Sequence, residues 1–263
     1  MTALTHMKHE GLQFAELHCL SNYSFLRGAS HPEELVTRAH ELGYQALALT
    51  DECTYSGLVK AHVAAEKLGI KLIVGAEFSV NAEPKSIAAE EKLILLAPTR
   101  SAYGQLSAFI SALRRRSGKG RYDAELKDFS FGLKDCIALW VPSQQAIDHQ
   151  VSLGAQIKMA LPKLWLALEL FHDGHDLDKT AHILTLSSRL QLPVAAANNV
   201  HTHIRERQPL QDILTAIRHK TTLYELGHRA FNNSERTLRT LAQLADIYPC
   251  LLYTSPSPRD REK

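Results

Sequence analysis

The sequence is poor in the features that mark secreted, membrane-spanning or disulfide-stabilised proteins. Its 263 residues include four cysteines and no CxxC pair, which argues against a disulfide framework or a thiolate metal site. No run of 18 apolar residues is present, and residues 1–11 lack the apolar core of a signal peptide. The net charge of +2 is too small to indicate a nucleic-acid or membrane partner by itself. We therefore expect a cytoplasmic protein with reduced thiols and no membrane contact.

Seven short apolar runs alternate with amphipathic segments, a pattern typical of a parallel α/β protein. The predicted strands are 14–18, 46–50, 71–75, 92–97, 137–141, 164–168 and 193–197. The predicted helices are 32–42, 56–68, 103–114, 145–158, 177–190 and 206–218. Such a repeat closes into a barrel or lies as an open sheet, and in both cases function collects at the carboxyl ends of the strands. Neither GxGxxG nor GxxxxGK[ST] is present, so nucleotide-binding versions of the pattern have no support.

Polar residues that suit metal chemistry stand at the ends of four predicted strands. They are His18, Asp51 with Glu52, Glu77, and Asn198 and Asn199 with His201. Imidazole and carboxylate groups ligate zinc and manganese, and a metal at this rim could activate water for phosphoester hydrolysis. A structural reading stays open, in which Asp51 caps the next helix, Glu77 pairs with a lysine and His201 lies on the surface.

Two polar segments are predicted to be loops. The first is 81–91, which contains Pro84, and the second is 114–122, which reads RRRSGKGRY. Four of its basic residues are singled out, namely Arg114, Arg115, Arg116 and Lys119. They are candidates for contact with a nucleic-acid phosphate backbone, and a merely solvated loop is the alternative.

Four segments, in order, resemble successive motifs of the polymerase and histidinol phosphatase (PHP) domain, in the form that opens bacterial C-family DNA polymerases. They read LHCLSNYSFLRGAS, ALALTDECTYSGLVKAH, GIKLIVGAEF and NNVHTHIRERQPLQDILTAIR. The resemblance covers about residues 14–249 and implies an α/β fold, a PHP-type distorted (β/α)7 barrel resembling a TIM barrel.

The resemblance also divides the chain. It implies an N-terminal tail at 1–13, the PHP domain at 14–230 and the start of a connection to a polymerase core at 231–250. Residues 251–263 read LLYTSPSPRDREK and do not resemble the family. This last segment could be a natural linker or a cloning-derived extension, and we favour the second.

Several positions depart from the family motifs HxHSxxSxxDG, TDH and DxH. The departures are Leu20, Arg27, Glu52 and Asn199 within the motifs, Lys92 where metal-binding members have histidine, and 141–143 without the usual cysteine. They are similar to those of the error-prone branch. His18, Glu77 and His201 are kept, and Glu52 could supply an oxygen ligand.

We therefore expect a degenerate zinc or manganese site. Arg27 and Lys92 would place positive charge where a dication should lie, which is unfavourable in a semi-buried site. These cations could instead pair with Glu77, Glu52 or Asp51.

The resemblance implies the leading domain of an error-prone DNA-directed DNA polymerase of damage-induced mutagenesis and translesion synthesis. The implied partners are DNA, other mutagenesis proteins and the sliding clamp, and Mg²⁺ would act in a polymerase core that these residues do not provide. This fragment is then expected to be inactive alone. The alternatives are a free-standing metal-dependent PHP phosphoesterase and an unrelated βα barrel enzyme, which the four ordered matches disfavour.

Overall fold

Seven strands lie side by side in chain order in the computed structural model, which describes residues 13–80 and 91–249. In this part of the chain the strands are β1 (Ala15–Cys19), β2 (Ala46–Leu49), β3 (Lys71–Val80), β4 (Glu91–Ala97), β5 (Ile137–Val141), β6 (Leu164–Leu168) and β7 (Val194–Ala196). The described helices are α1 (Pro32–Glu41), α2 (Leu58–Leu68), α3 (Arg100–Arg116), α4 (Ile147–Ala160), α5 (Asp176–Leu190), α6 (Gln208–His219) and α7 (Leu241–Ile247). Short 3-10 turns cover Leu126–Ser130, Arg205–Arg207 and Gly227–Arg229. None of the described helices is both long enough and apolar enough to span a membrane.

Backbone hydrogen bonds bring β1 close to the chain that follows β7. Leu20 N donates to Val200 O at 2.8 Å, and Val200 N donates to His18 O at 2.9 Å. Cys19 and Val200 form a parallel bridge at this point. The sheet is therefore a nearly closed barrel, and the open-sheet alternative is wrong.

The expectation of an all-parallel sheet is wrong for β4. This strand pairs antiparallel with both β3 and β5, whereas the other neighbouring strands are parallel. Ten residues separate β3 from β4, fewer than a crossover to a parallel neighbour needs, which accounts for the reversal. Residues 81–90 lie outside the described residues, and Glu91 begins β4.

Pairing with β4 also lengthens β3 beyond its predicted end at residue 75. Glu77 lies opposite Ile94 within the ladder, so it stands inside a strand and not after one. The sheet buries both of its faces. Along β4, Leu93 and Leu95 pack with the helices, while Ile94 and Leu96 belong to a second apolar cluster on the opposite face, inside the curved sheet.

The segment after α6 packs onto the barrel as well. Arg239 is 1% exposed, and its guanidinium donates to Asn198 Oδ1 at 2.7 Å and to Leu170 O at 2.8 Å. Tyr248 OH donates to Ala197 O at 2.8 Å. Residues 231–249 therefore contribute to the barrel's packing, and the domain boundary at 230 stays a prediction.

Two helical glycines provide a matched test of this packing. A Cβ at Gly154 of α4 would lie 2.4 Å from Leu190 Cδ1 and 2.7 Å from Trp140 Cζ3, whereas one at Gly104 of α3 would meet nothing within 4 Å. We expect Gly154→Ala to lower the free energy of unfolding by about 1–3 kcal/mol through overpacking. Gly104→Ala should raise it by up to about 1 kcal/mol through helix propensity. Urea unfolding followed by circular dichroism measures both, and an unchanged or more stable Gly154→Ala variant would contradict the packing described.

Candidate functional site

The carboxylate of Glu77 lies at the centre of a buried ion-pair network at the barrel rim. His18 Nε2 donates to Glu77 Oε2 at 2.7 Å, and Arg27 Nη1 donates to Glu77 Oε1 at 2.5 Å. Lys92 Nζ lies 3.5 Å from Oε2. Glu77 and His18 are fully buried. Burial by itself raises the pKa of Glu77, but Arg27, Lys92 and His18 together bring it well below its ordinary value.

His18 joins Glu77 to a second carboxylate, that of Glu169. The Nδ1 atom of His18 is 2.6 Å from Glu169 Oε1. Burial opposes protonation of His18, yet the two carboxylates raise its pKa above the ordinary value. The pKa of Glu169 is lowered in spite of burial, mainly by His18. The arrangement therefore favours an imidazolium between two carboxylates.

Arg27 extends the network to Glu52. Its Nη1 atom is 2.8 Å from Glu52 Oε2, and Tyr122 OH donates to Glu52 Oε1 at 3.1 Å. A backbone bridge between Glu52 and Glu77 holds these two residues side by side. Arg27 thus makes the expected ion pairs with Glu77 and Glu52, and Lys92 makes the expected ion pair with Glu77.

Asp51 stays outside these ion pairs. Its Oδ1 accepts hydrogen bonds from Ser21 N and Ser24 Oγ, and its Oδ2 accepts one from Ser21 Oγ, all at 2.7 Å. Burial raises the pKa of Asp51. Its carboxylate orders the loop after β1. The helix-cap reading is wrong, because Gly57 is the N-cap of α2.

His201 and Asn199 connect the last strand to the same network. Asn199 Nδ2 donates to Glu169 Oε2 at 3.1 Å, and His201 Nε2 lies 2.9 Å from Asn199 Oδ1. His201 Nδ1 is 3.0 Å from the carbonyl oxygen of Arg27. His201 is buried, so its surface reading is wrong. Burial, with Arg236 and Arg27 nearby, lowers its pKa well below the ordinary value.

The kept family positions do not fit a metal ion in this arrangement. Both ring nitrogens of His18 contact carboxylates, and both oxygens of Glu77 contact cationic side chains. Leu20, at a ligand position of the family, is fully buried and apolar. Within residues 13–80 and 91–249, no group of three or more His, Cys, Asp or Glu side chains is placed to hold a metal.

The predicted basic loop begins later than expected, because α3 continues through Arg116. Arg114 donates to the carbonyl oxygens of Glu52 and Cys53, each at 3.1 Å, and its guanidinium lies 5.2 Å from the ring centre of Tyr122. Arg114 therefore holds the backbone of Glu52 and Cys53 in place at the rim.

The other basic residues of this segment differ in whether they pair with a carboxylate. Arg116 forms an ion pair with Asp128. Arg115 and Lys119 are exposed. Of the four predicted contact residues, these two side chains are the best placed to meet a partner.

Sequence reasoning missed two residues of the rim, Glu169 and Arg236. Glu169 directly follows the apolar strand β6, so the rule that identified Asp51 could have found it. Arg236 follows no predicted strand, and its guanidinium reaches the rim from the segment between α6 and α7. No local sequence pattern predicts that placement.

The pKa shifts of the network predict a pH-dependent contribution of His18 to stability. Because folding raises its pKa, this contribution is complete below the ordinary value of about 6.5 and is lost as pH rises through the folded-state pKa. We expect His18→Gln to cost about 3–5 kcal/mol near neutral pH, because it leaves two buried carboxylates without their shared partner. The deficit should shrink as pH rises.

Urea unfolding at several pH values measures this deficit. His62→Gln, at an exposed histidine of α2, serves as the matched control and should leave stability nearly unchanged. A His18→Gln deficit that is constant or grows with rising pH would contradict a protonated His18.

Comparison with known proteins identifies the family of this chain. The model of the PHP domain family matches residues 16–175. The chain is 50% identical over 240 residues to an error-prone DNA polymerase of Methylococcus capsulatus, covering 90% of this chain and 22% of the relative. It is 44% identical over 243 residues to an error-prone DNA polymerase of Dechloromonas aromatica, covering 90% of this chain and 23% of that one.

Solved structures agree on the fold. An amidohydrolase from Chromobacterium violaceum has a TM-score of 0.56 at 17% identity, covering 72% of this chain and 87% of its own. A protein named for metal-dependent phosphoesterase activity, from Bifidobacterium adolescentis, has a TM-score of 0.52 at 16% identity, covering 73% and 88%. The PHP-type barrel inferred from the motifs is thereby confirmed. The chain belongs to the PHP domain family, in the form similar to error-prone DNA polymerases, and spans under a quarter of the length of those relatives.

Proposed function

We propose that this chain is the PHP domain of an error-prone DNA-directed DNA polymerase that serves damage-induced mutagenesis and translesion synthesis in the cytoplasm. The similarity to error-prone DNA polymerases over 90% of the chain supports this assignment. Nucleotidyl transfer and its Mg²⁺ would belong to the parts of the polymerase that these residues do not match. DNA, other mutagenesis proteins and the sliding clamp are the proposed partners of the whole protein.

Within that protein, we propose that the rim formed by His18, Glu52, Glu77 and His201 is a structural or DNA-positioning site, inactive in hydrolysis and free of zinc and manganese. The observation that carries this proposal is the engagement of both oxygens of Glu77 by cationic side chains. A guanidinium and an ammonium group would repel a dication at the same place. The alternative of a free-standing PHP phosphoesterase has less support, because the similar curated proteins are polymerases.

Metal content tests the structural role of the rim. We expect the purified chain to carry no stoichiometric zinc or manganese by elemental analysis after dialysis against either ion. A variant with the family ligands rebuilt (Leu20→His, Arg27→Asp, Glu52→His and Lys92→His together) should gain metal, since its ligands are restored and its competing cations removed. One equivalent of metal in the unmodified chain would refute the proposal.

A phosphatase assay with a generic phosphomonoester and added manganese complements that measurement. Turnover that His18→Ala abolishes would favour the phosphoesterase alternative.

DNA contact by the basic segment is a separate proposal, carried by the exposed Arg115 and Lys119. If each side chain neutralises one phosphate, the double variant Arg115→Gln with Lys119→Gln should make the negative slope of log affinity against log salt shallower by about 2. Fluorescence anisotropy with a labelled primer–template measures this slope. Arg100→Gln with Lys134→Gln removes two exposed charges elsewhere and is the control. Equal slopes for the two double variants would show that the segment is only solvated.

A further inference from the structure

Helix α6 turns its polar side toward the barrel. Of its residues, Gln211 and Ala216 are buried, whereas Leu210, Ile213 and Ile217 are exposed by 37%, 44% and 55%. A surface helix of a globular protein ordinarily packs its apolar face on the core and leaves its polar face to solvent. Helix α6 does the opposite, so packing within the described residues does not account for its apolar side chains.

The exposed apolar residues of α6 lie together. Leu210, Ile213 and Ile217 are three and four residues apart, which places them on the same face of the helix, and we call them the apolar row. Leu223 and Tyr224, in the segment that follows the helix, are exposed by 51% and 101%. Single exposed apolar side chains are ordinary on a protein surface, but a contiguous group marks an interaction site.

Cationic side chains lie at the C-terminal end of the apolar row. Arg218 and Lys220 are exposed there, and so is Arg229 in the next 3-10 turn. Burial and the charges of Arg218 and Arg229 lower the pKa of His219, so both arginines lie near this histidine. A surface that complements this one is apolar at its centre and carries carboxylates at its edge.

The size of the apolar row decides what could cover it. A stable complex of separate proteins buries about 800 Å² and roughly 20–30 residues on each side. The apolar row is far smaller, even with Leu223 and Tyr224, so it is too small to hold a second copy of this chain. A tethered partner needs less contact, because the tether raises its effective concentration. The relatives offer such a partner, since the matched part covers 22% and 23% of their length.

We propose that the apolar row is the surface on which the continuing part of the same polymerase polypeptide docks, through apolar side chains edged by carboxylates that face Arg218 and Lys220. This inference rests on the proposed function, because it requires a polymerase that continues beyond the PHP domain. A nucleic acid fits the apolar row less well, since aliphatic side chains offer neither a stacking platform for bases nor a charge for phosphates.

Hydrogen–deuterium exchange of the α6 amides tests the proposal by comparing the 263-residue chain with the full-length polymerase of which it is the leading part. We expect α6 to exchange at least about tenfold more slowly in the full-length protein, because a docked helix must undock before it opens. Ile213→Lys with Ile217→Lys should abolish this protection, since it would bury two ammonium groups at the contact. The same double variant should leave the urea midpoint of the 263-residue chain unchanged, because both side chains are exposed there.

Met159→Lys with Leu177→Lys is the matched control. These two apolar residues are exposed by 85% and 86% and lie on α4 and α5. Their replacement should leave the exchange of α6 in the full-length protein unchanged. Arg218→Glu tests the charged edge, and it should weaken the protection of α6 more at low salt than at high salt, because salt screens the new repulsion.

Four results would overturn the proposal: equal exchange of α6 in both proteins, protection that survives Ile213→Lys with Ile217→Lys, protection that appears only when DNA is added, or a dimer of the 263-residue chain in light scattering that the same double variant dissociates. The third result would identify a nucleic acid as the occupant, and the fourth a second copy. Failure of the full-length protein to extend a primer would refute the proposed function. Equal α6 exchange in a protein that does extend primers would refute this inference alone.

Discussion

A fully buried carboxylate remains ionised only if cationic or hydrogen-bonding groups replace the water it has lost, and this constraint on Glu77 shapes the whole rim of the barrel. Its partners come from three places in the chain: His18 in β1, Arg27 in the loop after β1, and Lys92 in β4. His18 also contacts Glu169 after β6, and this contact between the first and sixth strands of the sheet requires the strands to curve into a barrel. The ion pairs and the barrel therefore depend on each other.

The network spreads from Glu77 to most of the strand ends. His18 connects it to Glu169 after β6, and Asn199 connects Glu169 to His201 after β7. In a metal-binding barrel, a shared ion would hold such strand ends together. Here fixed charges of both signs perform that task. Removing one partner therefore leaves an uncompensated charge buried in the low-dielectric interior, which is strongly destabilising.

Much of this arrangement could be predicted from residue types and spacing. Apolar runs located the seven strands of the described residues, and the pairing of Arg27 and Lys92 with Glu77 follows from placing cations among carboxylates at one rim. The direction of β4 was also open to prediction, because the segment between it and β3 was predicted to be a short loop. The sequence did not show that Glu77 lies within its strand, since that depends on the ladder with β4.

Other features depend on tertiary contacts that no local pattern encodes. Arg114 lies in a basic run that suggests a nucleic-acid contact, yet its guanidinium binds the backbone carbonyls of Glu52 and Cys53. Arg236 reaches the rim from a segment without strand or helix periodicity, and its aromatic partners are distant in sequence or separated by a turn. Such placements follow from packing of the finished barrel.

The most direct test of the account is diffraction from crystals of this chain grown with manganese, with data collected at the manganese absorption edge. The account predicts Arg27 and His18 in contact with the two oxygens of Glu77 and no anomalous peak between them. A manganese peak bonded to His18 and Glu77, with Arg27 displaced, would contradict it.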